Sequence, residues 1–377
     1  MQVVTANSIE AFGRDEWNAL FPGELEDWGY YRAVERSGLA GFAWLYFGVR
    51  DGDRLRAAVP AFVVDYRLDT TVTGPLRRVT DAITRVFPRL LCQRMLSLGS
   101  PVAELCHLGF AADCDATEQA RLLGAILDQV EEYTKQHRVR MIAVKDASAA
   151  QDALWAQAAR AHRLRRQPGL PTAFLDIRFA SIEAYLDALG PGTRKDMRRK
   201  LKTAAQLRVE WRDDIDGIEA DVMRLYEATH ERAALEFEKL TPDYFRGVLR
   251  EGGARAACVT YWLGERLAAF NLVLHDDARL LDKFLGMDYE LARDYNLYFV
   301  TWFENVRQCI ARGLPLYQSG QGLHREKLRL GSRLSANWLW YRHRNRVLDA
   351  IFAAVEKLAR LDRHDSELAA LIGRDKP

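Results

Sequence analysis

Residues 314–341, LPLYQSGQGLHREKLRLGSRLSANWLWY, decide how this chain is read. They follow a helix-like segment, Leu297 to Arg312, that stops at Gly313, a residue suited to the left-handed position closing a helix. A short apolar strand then runs into the turn Gln318-Ser319-Gly320-Gln321-Gly322. His324, Lys327 and Arg329 come next, then Gly331 and an aromatic strand, Trp338 to Tyr341. Glycines around an amide-rich turn let backbone N–H groups approach a ligand closely. Cations just downstream suit a phosphate or a developing oxyanion. Taken alone, the turn reads as a solvated polar hairpin; its context changes that reading.

Working outward, Ala256 to Trp262 reads as a strand, Gly264-Glu265 as a turn and Leu267 to Leu274 as the return strand. The next strand, LLDKFLGMD from Leu280 to Asp288, places Asp282 and Lys283 among apolar residues. Buried charge is costly unless paired, so an edge position or mutual pairing is the plain explanation. The first half repeats this plan. Phe42 to Val49 is a strand, Asp51-Gly52-Asp53 a turn, and Leu55 to Tyr66 the return strand, with Pro60 marking an edge or bulge. The match of GDRLRAA at Gly52–Ala58 with GERLAA at Gly264–Ala269, flanked by like elements, favours two copies of one unit. Asp69 to Gln93 reads as an insertion with a short amphipathic helix. Thr117 to His137 has helical spacing, Arg140 to Val144 is a strand, Asp152 to Ala161 a helix and Thr172 to Ile177 a strand. The expected fold is α/β, with domains at 1–177 and 178–377.

The chain has 377 residues, and 54 basic against 52 acidic side chains leave a net charge of +2. This near-balance gives no global reason to expect nucleic acid or an anionic membrane. No apolar run is long enough to span a bilayer, and the N-terminus lacks a signal-peptide pattern. Five cysteines without a C-x-x-C suggest reduced thiols in a cytoplasm. His230-Glu231 has Ala234 where a zinc helix needs its second His, so no metal is assigned. Glu236 and Glu238 lie beside the Thr241-Pro242 helix start; they read as surface acids, with a general base as the competing role. The run 193–202 holds Arg194, Lys195, Arg198, Arg199, Lys200 and Lys202 against Asp196 alone. It is either a solvated helix face or a grip for phosphates.

The pattern helix–Gly–strand–Q-x-G-Q-x-x-x-x-x-K-x-R-x-G, with Gly322, Lys327 and Gly331 in place, resembles the C-terminal end of FemAB-like and CelD-like acyltransferases of the GNAT superfamily. The resemblance reaches back to YLDALGPGTRKDMRRKLKTA from Tyr185. It implies tandem GNAT-like domains and an N-acyltransferase moving an acyl or aminoacyl group to an amine on a small molecule or peptide. No tightly bound cofactor is implied; acyl-CoA, an acyl-carrier protein or aminoacyl-tRNA would be co-substrate, with tRNA or carrier protein as partner.

By the same resemblance, Lys327 with N–H groups near Gly320–Gly322 would hold the oxyanion, and His324, Glu238 or Asp282 would handle protons. Arg194, Lys195, Arg198, Lys283, Gln318, Gly320, Gln321, Gly322 and Arg329 would line the donor site. One departure stands out. Where acetyl-CoA enzymes carry a glycine-rich pyrophosphate loop, this chain has Tyr289 to Asn296 without a glycine. Asn296 reads as the cap of the next helix and Tyr298 as packing. The alternative from another class is an inactive tandem unit that binds a precursor, peptide or tRNA.

Overall fold

The computed structural model describes residues 1–67, 92–232 and 237–359. The insertion expected from Asp69, Glu236 and the far end of the C-terminal helix lie outside them. The chain forms two compact units, and they are not the halves of a single cut near residue 178. Met1–Trp28, Ala40–Pro171 and Ala336–Pro377 make the first; Gly29–Leu39 and Thr172–Ser335 make the second.

The first unit carries strands β1 (Gln2–Ala6), β2 (Phe42–Asp51), β3 (Arg54–Arg67), β4 (Cys92–Leu98), β5 (Gly109–Phe110), β6 (Met141–Ser148) and β7 (Arg165–Pro168). Strands β1 to β4 pair antiparallel in sequence, then β4 runs parallel to β6. Helix Ala116–Gln136 packs on this sheet because Leu122, Leu123, Ile126, Leu127 and Val130 share one buried face, and Asp115 caps its start through Glu118 N at 2.8 Å.

Pro60 departs from expectation: β3 is an interior strand, paired with β2 at Tyr46. The carbonyl of Pro60 accepts from Gly99 N at 2.7 Å, and a residue's N and C=O face the same neighbouring strand. Its missing N–H faces the same side, opposite Gly99 and just past Ala61–Leu98, the last pair of the β3–β4 ladder, so the proline sits where that ladder ends.

The second unit holds β8 (Thr172–Asp176), β9 (Arg208–Arg212), β10 (Ala256–Leu263), β11 (Arg266–His275), β12 (Arg279–Met287), β13 (Leu316–Gln318) and β14 (Arg333–Ser335). Strands β9 to β12 pair antiparallel and β12 runs parallel to β13, the same plan as β1 to β6. Both hairpins close with two-residue loops led by a glycine in the left-handed region, Gly52 (φ 58°) and Gly264 (φ 59°). The internal repeat read from the sequence is thus a repeat of structure.

A reciprocal strand exchange joins the two plans. Strand β8, which follows β7 in sequence, lies between β13 and β14, while β15 (Asn337–His343), which follows β14, lies between β6 and β7. Helix Trp28–Arg36 also contributes to the second unit, where Tyr30 Oη meets Tyr244 Oη at 2.9 Å. The core of that unit includes Tyr185, Tyr261, Trp302, Phe303 and Tyr317.

Candidate active site in the second unit

The pairing of β12 with β13 stops at Leu281 and Gln318. Beyond this point β13 stays bound on its other side, where Ser319 N donates to Ala173 O and Ala173 N to Gly320 O. Strand β12 continues to Met287 alongside β11. The two parallel strands therefore part, and the first residue past the parting on β12 is Asp282. A bulge accompanies it: Leu272 pairs with Phe284 but Val273 with Asp282, which makes Lys283 the extra residue.

Asp282 is not on an edge strand, and its partners are neutral side chains drawn from three elements. Oδ1 accepts from Asn271 Nδ2 at 2.6 Å; Oδ2 accepts from Tyr317 Oη at 2.8 Å and Asn305 Nδ2 at 3.3 Å. Asn305 Nδ2 also meets Asn271 Oδ1 at 2.8 Å and Tyr317 Oη at 3.0 Å. Burial pushes the Asp282 carboxyl above its usual range, against the pull of Asn271, Lys327, Tyr317 and Lys283. A carboxylate tuned upward in this way is a stronger proton acceptor than an ordinary aspartate.

Lys327 is 5% exposed and lies on the short helix His324–Arg329, which follows Leu323 in the left-handed region. Its Nζ donates to Ser319 O, at the end of β13, and its charge is felt at Asp282. Gln318 and Ser319 are buried beside it, Gly320 takes φ 83°, and Gln321, Gly322 and His324 follow toward solvent. Lys283 points elsewhere, with Nζ 5.1 Å from the centre of the Tyr30 ring. Glu238 follows the helix Glu219–His230 and is held at its carbonyl by Tyr226 Oη, 3.4 Å away.

Most of the basic run forms the helix Pro191–Lys200, where Arg194, Arg198, Arg199 and Lys200 are engaged in ion pairs. Asp187 pairs with Arg198 at 2.9 Å and Arg194 at 3.4 Å. Arg199, Lys200 and Arg329 surround Asp196 and hold its carboxyl well below the usual range. Arg329 thereby ties the Lys327 helix to the basic helix, while Lys195 stands exposed.

The loop before helix Leu297–Arg312 answers the question raised by its lack of glycine. Asn296 occupies the cap position in the left-handed region (φ 52°) and its side chain makes no capping bond, contrary to expectation. Its carbonyl accepts from Phe299 N and Val300 N instead, and Ala292 O accepts from Leu297 N. The N–H groups of Leu297 and Phe299 are thus bonded to the protein's own carbonyls at the helix start. The segment also lacks the glycines that let a conventional coenzyme A loop bring its backbone up to the pyrophosphate.

In the first unit the matching place is filled. The β4–β6 pairing ends at Leu98 and Val144; beyond it Cys106 N donates to Asp146 O at 2.9 Å and Lys145 Nζ to Ala103 O at 2.7 Å. The loop after β4 bridges the opening that the second unit leaves.

Asn271, Asn305, Tyr317 and Tyr298 were not singled out for chemistry by sequence reasoning. The signal available was a polar residue inside an apolar run, as in FNLVL around Asn271 and in FENV around Asn305.

Residues 191–328 match the acetyltransferase (GNAT) domain family. No curated protein matches the chain. Among solved structures, FemX is similar with a TM-score of 0.59 at 13% identity, covering 93% of this chain and 99% of its own. The tandem GNAT protein from the clavulanic acid biosynthesis pathway follows with TM-score 0.54 and 13% identity, covering 91% and 98%. A domain assigned to a lysylphosphatidylglycerol synthetase of Agrobacterium fabrum has TM-score 0.54 and 12% identity, covering 91% and 95%. At these identities the likeness is one of fold. The repeated β1–β6 plan, the parted strands and the matched domain agree: residues 191–328 carry a GNAT domain, and the chain as a whole has a tandem GNAT-like fold resembling that of FemX.

Proposed function

We propose that the chain transfers an acyl or aminoacyl group to an amine, and that the reaction takes place where β12 and β13 part. The observation carrying this is Asp282, a buried carboxyl pushed upward and held by neutral donors at the mouth of the wedge. In the reaction, the acceptor's amine loses a proton to Asp282, directly or through water, and attacks the donor's carbonyl carbon. The tetrahedral intermediate collapses by releasing the donor's thiol or hydroxyl, which leaves with the second proton shed by the attacking nitrogen, and Asp282 passes its own proton on to water. Lys327 steadies the end of β13 through Ser319 O and places positive charge beside the developing oxyanion. Binding both substrates supplies orientation.

Two features favour a donor carried on tRNA or a carrier protein over coenzyme A. The loop Tyr289–Asn296 has no glycine to bring its backbone close to a pyrophosphate, and its Glu290, Leu291 and Tyr295 N–H groups are bonded to nearby oxygens. The exposed ion pairs of the basic helix are weak enough for a phosphate backbone to displace Asp187. A lysylphosphatidylglycerol synthetase domain among the similar folds agrees with aminoacyl transfer. The test is native mass spectrometry of protein purified from its host, followed by transfer assays with charged total tRNA and with acetyl-CoA. Retained tRNA and aminoacyl transfer support the reading; tight acetyl-CoA binding with acetyl transfer overturns the donor assignment. Saturable tRNA binding without transfer to any amine would favour the inactive binding unit.

A further inference from the structure

Tyr298 opens the helix Leu297–Arg312, and sequence alone gives it a packing role. Its hydroxyl is buried and has no hydrogen-bond partner among the described residues. Helical spacing places Tyr298, Trp302 and Asn305 on one face, at i, i+4 and i+7. The other two members fix where that face looks: Trp302 packs on Tyr317 at 4.9 Å between ring centres, and Asn305 bonds Asp282 and Tyr317. Tyr298 therefore stands one helical step nearer the helix start, above the Asp282 network.

The surroundings of this hydroxyl say what it would receive. Burial is the main reason its proton is held more tightly than in a free phenol, and the nearby charges that add to this are Asp282 and Glu326, both acidic. A second buried acceptor on the same face, Asn305 Oδ1, is likewise without a donor; its amide nitrogen faces three oxygens, which fixes the orientation. A neutral, buried phenol oxygen with Asp282 and Glu326 as the acidic groups near it, and no donor of its own, suits a ligand that brings an N–H and positive charge.

We propose that Tyr298 Oη accepts an N–H of the acceptor substrate, so that the acceptor is a primary amine entering the wedge as its ammonium. Asp282 takes one proton from the ammonium, and the neutral nitrogen keeps an N–H on Tyr298 Oη while its lone pair attacks the carbonyl. This deepens the transfer reading and rests on it for the chemical step, but amine binding can be measured alone.

Thermal unfolding of wild type and Tyr298→Phe would be compared in ethylammonium chloride and in sodium chloride at equal ionic strength. Loss of an unmatched hydroxyl should leave the variant's Tm in sodium chloride at or above that of wild type, and ethylammonium should raise the Tm of wild type only. In transfer assays the variant should raise KM for the amine by about tenfold, one hydrogen bond's worth, with the donor KM unchanged. A lower Tm for the variant in sodium chloride would overturn the proposal, because the hydroxyl would then have a structural partner. An ethylammonium effect equal in both proteins, or absent from both, would overturn it as well. Wild type that shows the ethylammonium shift but no transfer would sink the transfer reading and leave the amine site standing.

Discussion

Tyr317 Oη donates to Asp282 Oδ2 at 2.8 Å across the last paired rung of two parallel strands, just where they part. The tyrosine is fully buried, so its hydroxyl fixes the carboxylate from the core side. The same burial pushes the Tyr317 phenol well above its ordinary range, which keeps it a donor.

Asp282→Asn should fold and lose at least about a hundredfold in turnover, the lower end for a proton-transfer group. Asparagine keeps the size and can still accept from Asn271. Circular dichroism and steady-state kinetics on the purified variant check both halves.

The same residue gives a pH dependence of stability. Its folded carboxyl is raised above the ordinary value of 3.8, so the folded state holds that proton more tightly than the unfolded chain does. The stabilisation is complete below 3.8 and is lost as pH rises through the folded value. Denaturant midpoints of wild type minus those of Asp282→Asn should therefore fall across that window and then level off. A difference that rises with pH would mean the carboxylate is net stabilised. Turnover should climb over the same window as the base deprotonates.

Lys327→Ala should cost stability as well as activity. The sequence, by its resemblance, makes Lys327 an oxyanion holder on a polar turn, for which a loss of turnover with little effect on the fold is expected. The structure buries it and sets its ammonium on Ser319 O, so removal leaves that buried carbonyl short of a donor, costing about 1–3 kcal/mol. Urea denaturation reads this directly.

Gly286→Ala tests the packing behind the wedge. A Cβ there would lie 2.2 Å from Phe270 Cε1 and 2.9 Å from the Leu225 carbonyl carbon. Backbone on one side and a buried ring on the other leave little room, so a loss of about 1–3 kcal/mol is expected. An unchanged denaturation midpoint would contradict the closeness of β12 to the helix Glu219–His230.

Replacing Arg194 and Arg198 together by Gln should leave stability within about 1 kcal/mol, since their pairs with Asp187 are exposed. Affinity for charged tRNA should fall and become less salt-dependent, by the two phosphate contacts removed. Filter binding over a salt series measures the slope.

Local signals carried much of this fold into view. Gly313 ends its helix with φ 70°, and the paired turns at Gly52 and Gly264 lead into like strands because the same turn chemistry recurs. Asp282 drew attention as a charge in an apolar strand. What local reading missed depends on distant residues meeting. Tyr317 is 35 positions from Asp282, and Asn305 is 34 from Asn271. The exchange of β8 and β15 was hidden for a related reason: a five- or seven-residue apolar strand pairs with whichever edge the remaining chain offers it. Lys327 was found by pattern, but its burial and its bond to Ser319 O were not legible, because they depend on how the short helix folds back on the end of β13.

The most direct measurement is transfer of a labelled aminoacyl group from charged tRNA to an amine acceptor, run side by side with wild type and folded Asp282→Asn. Transfer by wild type that drops at least about a hundredfold in the variant is the expected result. Equal transfer by both proteins would remove the wedge between β12 and β13 as the site of chemistry.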